Sequence, residues 1–324
     1  MQGPQLPPGH SMHQFPLECM ATKFSPFDPS ILAVATSENF GVAGRSLTYF
    51  LKFDVRSHMC QVVSQHPAVN AVFDIAFSES AQDILYTACG DGFIRVNKMG
   101  TEAPISEMKT HLKEVNTVEV NGTIPNLMLS TGTDGFVKVT DLNQGQILVN
   151  MKASMGNCYQ GVWHPRNPDL AATGGSDGKL KLWNVKQQKP VFSLPDHNNE
   201  ILCLDFNKYS DIIATGSADN FIHLWDLRMP KAPFQRFAGH RYAVKKVKFS
   251  PHHANWLVSG SYDMTVSVWD MSIKDVPLAK IHAGHTEFVT GLDFSNHIPD
   301  MITSCSWDRK VLVYPFMGNQ QAMI

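Results

Sequence analysis

Short turn signals ending in aspartate recur at Asp91, Asp134, Asp177, Asp219, Asp263 and Asp308, with gaps of 43, 43, 42, 44 and 45 residues. A period in this range belongs to circular arrays of small antiparallel sheets, in which each repeat buries its faces against its neighbours. Each turn Asp stands between two β-rich runs, as in Ala171-Ala-Thr-Gly-Gly-Ser-Asp177-Gly-Lys-Leu-Lys-Leu-Trp183. Function is therefore to be sought on a rigid disc and not in an active-site cleft.

A second ruler runs beside the first. His111, His197, His240 and His285 each lie nine residues before the residue closing an apolar strand, and 22 or 23 before the turn Asp. A hydroxyl precedes each turn Asp by four residues (Thr87, Ser130, Thr173, Thr215, Ser259, Ser304), and an aromatic follows by six in Trp183, Trp225, Trp269 and Tyr314. This is the WD-repeat signature, whose His, Ser/Thr, Asp and Trp join in one hydrogen-bonded chain because each costs free energy if buried unpaired. Two repeats carry the whole set: His197, Thr215, Asp219 and Trp225, and then His240, Ser259, Asp263 and Trp269. The same geometry repeating around a ring argues against reading these groups as a catalytic triad.

The expected fold is all-β, a seven-bladed WD-repeat β-propeller over residues 15–316, with blades starting near residues 15, 68, 111, 154, 197, 240 and 285. The first blade replaces the tight turn by a longer Gly-containing excursion after Ala33, and blades 2 and 3 carry Asn97 and Thr140 where the aromatic belongs. Only ten residues follow Tyr314, so residues near 10 to 15, at the end of an extension over 1–14, are expected to supply the closing outer strand and protect its sheet edge. Residues 317–324 read as a short tail.

Composition narrows the function classes. Lys and Arg total 27 against 29 for Asp and Glu, a net charge of -2, which offers no field for a nucleic-acid backbone. The six cysteines are scattered without metal or disulfide spacing and fit a reducing compartment. No secretory signal and no apolar run of spanning length is seen. Asn121-Gly-Thr123 reads as a turn, and His252-His253 as a solvated loop. Gly174-Gly-Ser-Asp-Gly178 matches the hydrolase elbow, but a strand follows it where a helix is required. Phosphate loops, zinc motifs and dinucleotide fingerprints are missing, so neither an enzyme nor a cofactor is expected.

On such a disc the exposed reading positions lie three and five residues after the repeat His and immediately before the turn Asp, on its narrow face, where loop ends are held by a rigid scaffold. The first position gives Glu114, Asn157 and Glu200, and the second gives Phe73, Asn116, Tyr159, Leu202, Lys245 and Thr290. Tyr262, Phe288 and Trp307 complete a face with apolar patches beside two carboxylates. That combination suits an amphipathic basic peptide, preferably helical, although solvated loop charges would give the same two glutamates. Trp225-Asp-Leu-Arg228 resembles the box of WD-repeat substrate adaptors of cullin-type ubiquitin ligases, an alternative reading.

Some segments go beyond the generic repeat. Phe24-Ser-Pro-Phe, Leu32-Ala-Val-Ala, Asn39-Phe-Gly-Val-Ala-Gly44 and Leu47-Thr-Tyr-Phe-Leu resemble the unusual first blade of the peroxisomal receptors for type-2 targeting signals. The segments His240–Ala254, His285–Ser295 and Cys305-Ser-Trp-Asp308 resemble blades 6 and 7 of the same family. The likeness covers most of residues 20–315. It implies a soluble, monomeric import receptor that binds an N-terminal nonapeptide signal of newly made enzymes in the cytosol. With a co-receptor it would shuttle them to docking proteins of the peroxisome. The family's signal carries a basic residue, then an aliphatic one, five variable residues, then His or Gln and a small or aliphatic residue. At 100° per residue it forms an amphipathic helix, for which Glu114 and Glu200 would face the basic groups while Tyr159, Leu202, Phe288 and Trp307 receive the aliphatic ones. The Trp-poor blades 2 and 3 are where signal preference would depart from the family's.

Overall fold

The computed structural model describes residues 10–54, 59–195 and 197–317; the chain before residue 10 and the tail after residue 317 lie outside them. Seven four-stranded antiparallel sheets follow one another around an axis. The innermost strands are Glu18–Phe24, Val72–Phe77, Val115–Val120, Cys158–Trp163, Ile201–Phe206, Val244–Phe249 and Val289–Phe294. Six blades are built from consecutive strands. The seventh takes its outer strand from the other end of the chain: Ser11–Gln14 pairs antiparallel with Lys310–Pro315, Ser11 opposite Val313. This pairing removes an open edge and ties the ring shut. Among the described residues no helix is long and apolar enough to cross a membrane.

The core lies between blades, because each sheet is too small to bury its own faces. Cys203, Ala214 and Leu224 of blade 5, for example, pack against Val244, Val247, Leu257 and Trp269 of blade 6. Four of the seven inner strands add a polar joint. Asp74, Glu119, Asp205 and Asp293 accept backbone N–H groups of Val118, Trp163, Phe249 and Phe24, each on the next blade round.

The recurrence of the turn Asp has a local cause. The residue after it is left-handed in all six turns: Gly92, Gly135 and Gly178, but also Asn220, Met264 and Arg309, with φ between 64° and 81°. The Asp carboxylate accepts the N–H two residues on, from Phe93, Phe136, Lys179, Phe221, Thr265 and Lys310. That bond holds a conformation which costs a non-glycine residue about 1–2 kcal/mol. Asn121 forms a similar turn, its Oδ1 accepting N–H from Thr123 and Ile124. Gly174–Gly178 joins two strands, and no helix follows it.

Candidate functional site

Antiparallel order puts the start of every inner strand and the turn Asp on one face of the disc. The repeat His anchors this face. In blade 6, Asp263 accepts from His240 Nδ1 at 2.8 Å, Ser259 Oγ lies 2.6 Å from Nε2, and Trp269 donates to Ser259 at 2.7 Å. Blade 7 repeats the chain with Tyr314: His285 to Asp308 at 3.0 Å, His285 to Ser304 at 2.9 Å, and Ser304 to Tyr314 at 3.2 Å. Burial works against ionisation of Asp134 and Asp263, but hydrogen bonds from His111 and His240 hold both carboxyls well below the usual carboxylate range. With the Asp ionised, Nδ1 donates, so Nε2 of a neutral imidazole accepts the Ser proton and the Ser oxygen accepts from Trp.

The set in blade 5 departs from the expected tetrad. His197 reaches Asp219 at 3.0 Å and Thr215 at 3.0 Å, but the buried indole N–H of Trp225 has no hydrogen-bond partner among the described residues. His223, on the third strand of this blade, stacks on His197 with ring centroids 3.9 Å apart.

All seven inner strands break register near their start, after the second residue in blade 1 and after the first in the other six, by one unpaired residue each: Met20, Phe73, Asn116, Tyr159, Leu202, Lys245 and Thr290. A bulge re-aims a side chain and ends ladder pairing, and the six positions five residues after the repeat His are these bulges. The other two reading positions are joined by a backbone bond. The residue before the turn Asp donates N–H to the carbonyl of the residue three after the His position, in Gly90–Ala71, Thr133–Glu114, Ser176–Asn157, Ala218–Glu200, Tyr262–Ala243 and Trp307–Phe288. Side chains at these positions are thereby fixed around one mouth, except at Gly90, which has none, and at the buried Thr290.

Their chemistry divides the face into two sectors. On blades 3 to 5, Glu114 is half-buried, Tyr159 donates its hydroxyl to Glu200 at 3.0 Å, and Asn157 donates to the Tyr159 oxygen at 3.1 Å. Burial, opposed by the bond from Asn157, raises the Tyr159 pKa, so the phenol stays neutral. Leu202 lies half-buried on blade 5, and Lys245 on blade 6 is the cation of the bulge ring. On blades 6 and 7, Tyr262 stacks on Phe288 at 4.5 Å and Phe288 meets Trp307 at 5.1 Å.

Two expected positions do other work. Thr290 is buried and donates to the carbonyl of Cys19 in the first blade, so it is absent from the accessible surface. Asn116 spends its amide on the Cys158 carbonyl at 2.8 Å and accepts from Thr133.

One exposed aromatic escaped the sequence reading. Asn39, Phe40 and Gly41 are left-handed in succession, and this carries Phe40, half exposed, onto Trp307 with centroids 4.9 Å apart. A bulky residue at positive φ marks strain held by its surroundings. A Cβ at Gly41 would sit 3.0 Å from both Met20 and Phe73, so only glycine lets this excursion seal against the mouth. The Asn-x-Gly spacing in the first-blade excursion was the available signal. Arg228, by contrast, follows the far end of its strand, on the opposite face, and folds back onto Asp226 at 2.6 Å. Among the described residues no group of three or more His, Cys, Asp or Glu is placed to hold a metal.

The WD domain, G-beta repeat profile matches residues 156–184, 188–226, 231–270 and 277–314, the blades that carry Trp183, Trp225, Trp269 and Tyr314. The chain is 34% identical to the mouse peroxisomal targeting signal 2 receptor over 297 residues, covering 91% of this chain and 92% of that protein. The chain belongs to the peroxisomal targeting signal 2 receptor family. Peroxisome biogenesis protein 7 of Arabidopsis thaliana is 34% identical over 92% of this chain and 95% of its own length. The Saccharomyces cerevisiae peroxisomal targeting signal 2 receptor is 29% identical over 91% and 96%. For a member of this receptor family, the ring of bulge residues and the aromatic arc are the surface around which a binding function can be framed.

Proposed function

We propose that this chain is a peroxisomal import receptor that captures the N-terminal type-2 signal of newly made proteins in the cytosol and, with a co-receptor, passes them to docking proteins at the peroxisome. It acts as a monomer, by binding and not by chemistry. The observation that carries the reading is the division of one face into a carboxylate sector, Glu114 and Glu200, and an aromatic sector, Tyr262, Phe288, Trp307 and Phe40. A nine-residue helix is about 13 Å long, and an amphipathic basic one presents cations and aliphatic groups on adjacent sides. The basic groups meet Glu114 and Glu200 while the aliphatic groups settle among Tyr159, Leu202, Phe288 and Trp307. Partly desolvated pairs of this kind contribute about 1–3 kcal/mol each, and the apolar anchors a similar amount.

Fluorescence anisotropy of a labelled nonapeptide signal, titrated with the receptor with and without co-receptor, tests this. Saturable binding that disappears when the basic first residue becomes Asp is the expected result. No binding even with co-receptor would reduce the likeness to a shared scaffold.

A further inference from the structure

On the face opposite the aromatic arc, the ends of the inner strands and the loops after them enclose a cavity of about 480 Å³ on the propeller axis. The next-to-last positions of the inner strands form a ring, Lys23, Ala76, Glu119, Val162, Asp205, Lys248 and Asp293, and all of them but Val162 line the floor of this cavity. The charged members follow a rule. An acid on one blade is matched by a lysine on the next, with Asp205 on blade 5 bonded to Lys248 on blade 6 at 2.9 Å and Asp293 on blade 7 to Lys23 on blade 1 at 3.5 Å. Glu119 on blade 3 is the third such acid, but the position on blade 4 is Val162. Glu119 accepts the Trp163 N–H and forms no salt bridge with any described residue.

Above the floor a narrower axial cavity of about 20 Å³ shares Lys23, Glu119 and Lys248 with the well and is lined also by Asp74, Gln160 and Lys246. Gln160 Oε1 there is buried without a hydrogen-bond donor, on a residue only 7% exposed, whereas Asp74 Oδ1 pairs with the Lys246 ammonium at 3.6 Å. The axis therefore has a gap for a cation at its floor and one unmet acceptor, Gln160 Oε1, above it. Buried acceptors without donors carry a desolvation cost that a donor-rich ligand removes.

We propose that the axial well binds the ammonium or guanidinium end of a slender aliphatic chain, which takes beside Glu119 the place that lysine takes beside Asp205 and Asp293. The apolar walls, Phe77, Trp163, Phe206, Phe249 and Phe294, would cover the methylenes. The bound cation pairs with the carboxylate form, so binding follows the ionisation of Glu119. Burial pushes the pKa of Glu119 up to about 7 against the opposing pull of Lys248, the Trp163 N–H and Lys23. Nearby Asp205 pushes it the same way as burial, and Glu79, Arg166 and Lys208 line the outer part of the well. From that value the ionised fraction rises about tenfold between pH 6 and pH 8.

Calorimetric titration of the full chain with agmatine and with n-butylammonium, against n-butanol as the neutral control, tests the site. Saturable binding of the cations alone is expected, about tenfold tighter at pH 8 than at pH 6. Glu119→Gln keeps an acceptor for the Trp163 N–H and is expected to lose at least tenfold in affinity. Val162→Lys supplies the missing cation from within and is expected to close the site, with its melting temperature confirming a folded chain. An acetylated Gly-Arg-Gly peptide separates the two sources of the cation: tighter binding than agmatine assigns the well to a partner's side chain, and weaker binding to a free amine. No saturable binding of either cation, or equal binding by wild type and both variants, would overturn the proposal.

Discussion

Replacement of Ser259 by Ala removes one oxygen from a fully buried position and unmakes two bonds, the Ser259 donation to His240 Nε2 at 2.6 Å and the Trp269 donation to Ser259 at 2.7 Å. An imidazole lone pair and an indole N–H are then left buried and unbonded, at about 1–3 kcal/mol each. Two buried indole N–H groups among the described residues, those of Trp225 and Trp307, already lack a partner, which places the expected loss in the lower part of that sum, about 2–4 kcal/mol. In a domain of this size the melting temperature should fall by about 3–6 °C. Differential scanning calorimetry and urea titration of the full chain measure it. Ser259→Thr is the control, because Thr173 and Thr215 occupy the equivalent position in blades 4 and 5, and it should retain most of the stability. A loss below about 1 kcal/mol for Ser259→Ala would refute the argument that the chain of bonds must be supplied as a set. The consequence reaches the binding face, since His240 and Asp263 hold the turn that presents Tyr262.

Thr140→Val should be neutral or stabilising by up to about 1 kcal/mol, since the Thr140 hydroxyl is buried without a partner; thermal denaturation showing a larger loss would mean the hydroxyl is engaged. Glu119, with its folded pKa raised to about 7, binds its proton more tightly folded than unfolded. Its ionisation therefore erodes stability as pH rises from about 4.5 to about 7, by at most about 3 kcal/mol. Glu119→Gln should accordingly exceed wild type in stability at pH 8 and lose that advantage toward pH 5, and parallel stability curves would contradict the shift. Phe40→Ala should leave stability within about 1 kcal/mol, because the half-exposed ring gives up only its contact with Trp307 while the left-handed backbone carries a Cβ either way. It should weaken signal binding five- to tenfold by anisotropy, and unchanged affinity would take the first-blade excursion off the binding surface.

The period of the turn Asp was enough to count blades, because a left-handed residue after each turn needs the same carboxylate support every time. The position five after the repeat His also marked the residues that become bulges, since the offset from the His anchor is constant in every blade. What stayed hidden depends on register between blades or on local strain. Nothing in the chain order announces that Thr290 turns inward to the Cys19 carbonyl across the closure of the ring. Trp225 carries the signature spacing yet lacks the bond that Trp183 and Trp269 make at the same position. Phe40 required three successive left-handed residues that periodicity does not report. The lone Glu119 becomes visible only when blade 4 is laid beside blades 6 and 1, where lysines stand at the position of Val162.

The receptor reading turns on whether the carboxylates of blades 3 and 5 meet the signal's basic groups. The most direct measurement is anisotropy of Glu114→Arg and Glu200→Arg against signals in which each basic position is changed to Glu in turn. The account predicts weakened binding of the unmodified signal by either variant, and partial recovery in at least one reversed pairing. Undiminished binding by both variants, or no recovery in any combination, would remove these carboxylates from the site and the proposed orientation of the signal with them.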